Sequence, residues 1–414
     1  MGTYRLAILI CYLFVQGFEY WLRYINLRYM RSHGTEVPAG FEGYVDRSVL
    51  EKTHAYSLAT SRLSLAESIF SSGVMVVFLF GGLLDRYSGW TASFGLSFVP
   101  AGVLFFLVLV FVNTLLSAPF SLYGTFRIEN RYGFNTMTPS LWVADLLKSL
   151  FLSTAILGIA LAAGLYIVRM SPGLWWLFAW GFFFVLSIFL MYISPYVIEP
   201  LFNKFTPLGG GELETRIREM MERVGIHVKR VFTIDASKRS THTNAYFTGI
   251  GRTKRIVLFD TLIRMMEPEE ILAVLAHEAG HWKKKHVLKR IAVFELLSLI
   301  GAYLAFRILG TGFLADVFAI RGETFFASLI ILGFLFGIAA FPFTPLSSFV
   351  SRRHEDEADR FASELTGRPE SLATSLIKLS KDNLSNLHPH PLYAKFYFSH
   401  PPVVERVRKL RGLQ

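Results

Sequence analysis

Cysteine is almost absent from the chain, with Cys11 alone among 414 residues. No intrachain disulfide can form and no cysteine cluster can hold a metal, which excludes a disulfide scaffold and every thiolate-based zinc module. Charged side chains are scarce too, at 18% against about 25% in soluble domains. The Lys and Arg residues behind a formal net charge of +11 gather between and after apolar stretches. They form no basic stripe interleaved with stacking aromatics, so no nucleic-acid partner is expected. The sequence has no internal repeat, no low-complexity tract and no Gly/Ser linker. It also offers no serine or cysteine set beside a base as a hydrolytic nucleophile, since Cys11 lies in an apolar run.

What is present in excess is apolar surface: 52% hydrophobic residues, 15% aromatics and a mean hydropathy of +0.42, which point to a membrane protein. A helix needs about 20 mainly apolar residues to cross a hydrocarbon core about 30 Å thick. Seven stretches qualify, at 4–24, 63–84, 94–116, 150–168, 174–193, 291–309 and 325–350. The first reads as a retained helix, because Gln16, Glu19 and the aromatic run after them do not resemble a small-residue cleavage site. Basic residues set the orientation. Arg28, Arg31, Arg47, Lys52, Arg127, Arg131, the segment 195–290 and the C-terminal tail fall on one side, and Arg86, Arg169 and Arg321 on the other. The positive-inside rule then puts the N-terminus outside and the C-terminus in the cytoplasm.

Two water-exposed pieces, 194–290 and 351–414, flank a transmembrane hairpin and are expected to fold together. The expected organisation is five spans with their loops (1–195), a first catalytic segment (196–290), two further spans (291–350) and a second catalytic segment (351–414). Within the first segment, 212–225 has the charge and apolar spacing of an amphipathic helix, 228–234 and 255–259 read as strands, and 267–285 as a second helix. Glu267-Pro268-Glu269-Glu270 is a helix start, with proline in the first turn and acids at the positive end of the dipole.

That second helix carries His277-Glu278-Ala279-Gly280-His281. A spacing of four puts both imidazoles on one face, where they can share a zinc ion, and sets Glu278 beside it as the acceptor of a proton from water. A surface helix can carry the same five residues by chance, so the third ligand decides. His286 is a poor one: five residues along a continuous helix place it about 140° from His281. Glu355 and Asp359 stand four apart in Arg352-Arg353-His354-Glu355-Asp356-Glu357-Ala358-Asp359. That spacing suits one carboxylate on the metal and a second on the other ring nitrogen of a liganding histidine, and it equally suits a solvated acidic face.

Further motifs run along most of the chain: Ile128-Glu129-Asn130-Arg131-Tyr132-Gly133-Phe134-Asn135, Pro200-Leu201-Phe202-Asn203-Lys204-Phe205-Thr206-Pro207-Leu208, Ser237-Lys238-Arg239-Ser240-Thr241-His242-Thr243-Asn244-Ala245-Tyr246-Phe247 and His400-Pro401-Pro402-Val403-Val404-Glu405-Arg406. With the zinc helix they resemble the integral-membrane CAAX prenyl endopeptidases. The resemblance implies a mostly α fold in which seven transmembrane helices form a barrel around a water-filled chamber, with a small α+β zincin-type catalytic domain on the cytosolic side. It implies one zinc ion held by His277, His281 and Glu355, Glu278 as general base, and Asp359 orienting a liganding histidine. It further implies an edge strand at Asn244 and Ala245 that a peptide extends by main-chain pairing, with Tyr246 beside it. His400 would donate to the oxyanion, and Arg406 would support the acidic helix. Glu19, Glu67 and Glu295, costly if they face lipid, would line the chamber or reach interfacial water from helix ends.

The expected substrate is therefore a prenylated CAAX-type protein or peptide, cut to release its C-terminal tripeptide. A broader quality-control endopeptidase of membrane proteins is the alternative. A bacterial inner membrane is favoured over the endoplasmic reticulum because no ER-retrieval tail is seen. A transporter would show paired, Gly/Pro-interrupted spans in two related halves, which are lacking. Oligomeric state is not legible.

Overall fold

A computed structural model describes residues 2–248, 253–322 and 324–412. Residues 249–252, inside the expected first catalytic segment, and residues 413–414 lie outside the described residues. Among the described residues, seven helices are long and apolar enough to cross a membrane: Thr3–His33, Arg47–Phe80, Phe98–Tyr132, Pro139–Met170, Trp175–Leu201, His286–Leu309 and Thr324–Thr366. Each expected stretch falls on one of them, but most helices run further than the apolar window. Polar caps set several starts: Asp46 accepts from the Val49 amide at 2.9 Å, and Thr138 accepts from Leu141 ahead of Pro139 at the first helical position. The second span ends sooner than expected. It stops at Phe80, because Gly81 and a left-handed Gly82 (φ 81°) break it before a short helix, Leu83–Ala92.

The soluble part is built on a four-stranded sheet: β1 (Phe205–Pro207), β2 (His227–Ile234), β3 (Ala245–Thr248) and β4 (Thr253–Phe259). The spatial order is β1-β2-β4-β3, with β2 and β4 parallel and both outer pairs antiparallel. Strand alternation sorts the two faces. Val231, Ile256 and Leu258 enter the main core, whereas Ile234 and Val257 pack on the other face with Phe205, Tyr246 and Phe259.

Three helices cover much of the core face. Helix Glu212–Arg223 contributes Ile217 and Met221, helix Pro268–Lys283 contributes Ile271, Leu275, Ala276 and Ala279, and helix Pro369–Asp382 contributes Leu372 and Ile377. The loop between the first two spans joins them. Phe41 and Val45 of the loop, with Leu50 in the first turn of the second helix, are buried in this same core, and Arg411 donates to the Gly40 carbonyl. A second clasp lies at the end of the third span, where Ile128, Tyr132, Phe134 and Leu384 form their own buried cluster. The membrane part therefore holds the soluble part at several points besides the sixth and seventh spans.

Candidate metal centre

Helix Pro268–Lys283 starts with a reciprocal capping box. The Glu267 side chain accepts from the third-residue amide, and Glu270 accepts from the Glu267 amide at 2.9 Å. Its apolar positions face the core, so His277 is drawn inside and buried while His281 is half-buried one turn later. Across from it runs helix Thr344–Thr366, the end of the seventh span that continues into the soluble part, with Glu355 and Asp359 both buried.

Gly280 permits this approach. A Cβ there would meet the Ala358 Cα at 3.0 Å and its carbonyl oxygen at 3.2 Å, tighter than ordinary van der Waals contact. The unspecified position before His281 is thus fixed as glycine by the backbone of the facing helix. Gly280→Ala is expected to push the two helices apart by a few tenths of an ångström and to weaken metal binding by about tenfold, comparable to disturbing an outer-shell partner, as read by competition with a chelating dye. Unchanged affinity would show that the contact relaxes freely.

His277 Nε2 and His281 Nε2 are 3.2 Å apart. Glu355 Oε2 lies 3.3 Å from the first and Glu355 Oε1 3.3 Å from the second. The two Glu355 distances are to different carboxylate oxygens, and one ligand atom from each of the three residues lies within 4.8 Å of the others, so the three side chains converge on a point that an ion could share. Glu355 Oε2 is buried without a hydrogen-bond donor, a cost that a cation at the shared point removes. The local field agrees: burial pulls the His277 imidazole down, yet Asp359 and Glu355 outweigh it and lift it to about 9. His277, His281 and Glu355 can therefore hold a metal ion, with an all-N/O donor set that suits zinc.

The remaining polar groups support this triad. Asp359 Oδ1 lies 2.8 Å from His277 Nδ1, an ion-pair distance although the ring N–H is not aligned for a hydrogen bond. Arg406 clamps Asp359 in a two-point contact, Nε to Oδ2 at 2.8 Å and Nη2 to Oδ1 at 2.7 Å. Its Nη2 is also 3.8 Å from Glu355. Burial raises the Glu278 carboxyl above its ordinary value, against the pull of His277 and His281. His400 Nε2 sits 3.3 Å from Glu355 Oε1, and its side chain is 61% exposed against 7% for Glu355. The site thus opens on the His400 side.

His286 is outside the triad, but the reason differs from the helical-angle argument. The helix does not continue: Lys285 is left-handed (φ 57°), and a new helix starts at His286. The turn brings His286 Nδ1 within 3.1 Å of His281 Nδ1, while its Nε2 pairs with Glu357 at 3.0 Å and its ring stacks on His354. His286 backs His281 from behind.

β3 lies at the outer edge of the sheet, next to the H-E-x-x-H helix. Ala245 begins it, buried opposite Leu258. Asn244 precedes the strand, its side chain accepting from the Ala245 amide at 2.8 Å and its carbonyl from the Phe259 amide at 3.1 Å. The Tyr246 hydroxyl is committed to Glu199 at 2.6 Å, and burial raises it.

Sequence reasoning assigned no role to the residues that brace this strand. His242 stacks on Phe134, its Nε2 3.1 Å from Glu129 and its Nδ1 2.8 Å from Asn383. Tyr56 donates to the same Glu129 at 2.7 Å. Arg239 grips Asp145 and reaches Asn203. Three motifs far apart in sequence therefore meet ahead of β3. The only sequence signal was their co-occurrence, which does not disclose contact.

Seven membrane spans carrying an H-E-x-x-H helix, with a facing helix that supplies a carboxylate, define a membrane metalloprotease. Comparison with known proteins agrees. A family profile described as the CAAX prenyl protease N-terminal region with five membrane helices matches residues 26–204, and one for peptidase family M48 matches 207–414. The chain is 36% identical to CAAX prenyl protease 1 of Saccharomyces cerevisiae, covering 95% of this chain and 92% of that one. It is 30% identical to an uncharacterized metalloprotease of Bacillus subtilis, covering 94% and 92%. The crystal structure of S. mikatae Ste24p superposes with a TM-score of 0.92 at 32% identity, over 99% of each chain. The chain belongs to the CAAX prenyl protease family of M48 peptidases.

Proposed function

We propose that the chain is a zinc metalloendopeptidase that removes the C-terminal tripeptide of prenylated CAAX-type proteins at the membrane surface. The observation that carries the chemistry is the triad of 3.2–3.3 Å spacings among His277, His281 and Glu355. The substrate class rests on similarity to CAAX prenyl proteases along nearly the whole chain.

An extended peptide adds to the free edge of β3 through main-chain hydrogen bonds, which brings its scissile bond to the adjoining H-E-x-x-H helix. Zinc, when bound, lowers the pKa of a coordinated water to about 7 and polarises the scissile carbonyl. Glu278 takes one proton from the attacking water as its oxygen bonds to the carbonyl carbon. His400 Nε2 donates to the developing oxyanion. The C–N bond then breaks, and Glu278 delivers its proton to the leaving amine. Asp359 and Arg406 hold His277 in place throughout. No covalent acyl-enzyme forms, in keeping with the missing nucleophile.

The seven spans are read as the wall of a chamber. The fifth helix buries no residue along Trp175–Ile193, unlike a helix in a close-packed bundle, and Glu19 lines a cavity of about 400 Å³ with Gln16 and Tyr12. The distribution of basic loops supports a catalytic side in the cytoplasm, with a bacterial inner membrane as the favoured location.

A farnesylated peptide and its unprenylated twin, offered separately to the purified protein, test the substrate. The farnesylated one is expected to be cut at least tenfold more efficiently in kcat/KM, since one buried prenyl group readily supplies the 1.4 kcal/mol that a tenfold preference requires. Equal cleavage would instead favour the quality-control reading.

A further inference from the structure

On the sheet face away from the main core, a second site lies where the fifth span leaves the membrane. Strand alternation places Arg230 and Phe232 of β2 and Arg255 of β4 on this face, with Arg230 paired to Arg255 in register. Together with Lys204 and Lys229 they line a pocket of about 580 Å³ against Pro195 and Tyr196 of the emerging helix. Four cations border it, and among the described residues no carboxylate does. Two acids nearby in sequence are turned elsewhere: Glu199 to the Tyr246 hydroxyl and Asp235 to the Lys204 amide.

Arg255 is held rigidly in this pocket. Its guanidinium lies over Phe232 at 4.5 Å, Tyr196 at 4.8 Å and Phe205 at 5.5 Å, and Nη1 donates to the Pro195 carbonyl at 3.0 Å. Its Nε is buried with no hydrogen-bond partner. The aromatic faces neutralise part of the charge but offer no acceptor to that N–H. A fixed cation flanked by three more cations, with no acid among the described residues lining the pocket, suits a polyoxygen anion.

The anion's source follows from what adjoins the pocket. Val185, Phe189, Tyr192 and Val197 of the same span are exposed, giving apolar surface leading away from the cations toward the bilayer core, with tyrosines at the interface depth. A head that needs phosphate-like oxygens and a tail that needs hydrocarbon belong to one molecule. We propose that this pocket binds the phosphate headgroup of an acidic membrane lipid in the leaflet that faces the catalytic domain. The lipid would tie β2 and β4 to the fifth span independently of the metal site.

Native mass spectrometry of the full-length protein, released from detergent micelles containing phosphatidylglycerol and phosphatidylcholine of equal chain length, tests this. Wild type is expected to retain one phosphatidylglycerol per chain in preference to phosphatidylcholine. K229A/R230A is expected to retain it about thirtyfold more weakly, from the usual contribution of two cations at an anionic surface. The charge-preserving K229R/R230K, which guards against simple misfolding, should retain it as wild type does. So should K395A/R408A, which removes two exposed cations elsewhere. Equal retention by K229A/R230A and wild type would overturn the proposal, as would an equal loss in K395A/R408A. Displacement of the lipid by millimolar inorganic phosphate would overturn the lipid assignment and make the ligand a soluble phosphate.

Discussion

Glu278→Gln is expected to leave one zinc per chain in place and to lower peptide hydrolysis by about 10²–10⁴-fold, the usual contribution of a general base. The two effects separate because Glu278 is not among the three residues whose ligand atoms converge, and the amide keeps the shape of the carboxylate while losing its capacity to take a proton. Burial lifts the Glu278 carboxyl above its ordinary value, which makes its carboxylate a stronger proton acceptor. Zinc content by mass spectrometry alongside turnover of a CAAX-type peptide checks both halves. If the Gln variant cleaves as fast as wild type, Glu278 is no base and the one-step hydrolysis fails.

Arg406→Ala is the second large effect. Arg406 is buried and spans Asp359 with two nitrogens, so its removal leaves a buried carboxylate uncompensated, a loss of about 3–5 kcal/mol. Asp359 in turn stands behind His277, and loss of such outer support costs about 10–100-fold in metal affinity. The variant should therefore unfold at lower temperature and release zinc to a chelator more readily. Arg406→Lys restores the charge but not the planar two-point grip, so it is expected to recover stability in part and metal affinity less. Wild-type zinc affinity in Arg406→Ala would reduce the residue to a general contributor to stability.

Much of this protein was legible because the membrane and the metal impose periodic demands. Seven apolar stretches of the required length became seven helices, and the spacing of four placed two imidazoles together. What lay beyond the sequence was contact between segments. The loop from Gly34 to Asp46 reads as a topological connector, yet Phe41 and Val45 are buried in the catalytic core; two scattered apolar residues carry no period that announces a distant partner. His286 shows the converse error. The helical angle argued from a continuous helix, whereas a left-handed Lys285 turns the chain and delivers His286 to the far side of His281. The short strand Ala245–Thr248 was approached through the family resemblance alone, because four residues are too few for alternation to register. Gly280 is the most instructive. Within the zinc motif it is an unrestricted position, and only the facing helix explains why no side chain fits.

The central claim is that one metal ion is held by two histidines of one helix and a glutamate of another. X-ray absorption at the zinc edge of the purified protein tests it most directly. The expected first shell is two imidazole nitrogens and carboxylate or water oxygens at about 2.0–2.2 Å. A third imidazole, which would bring His286 or His400 onto the metal, or the absence of bound zinc, would contradict it.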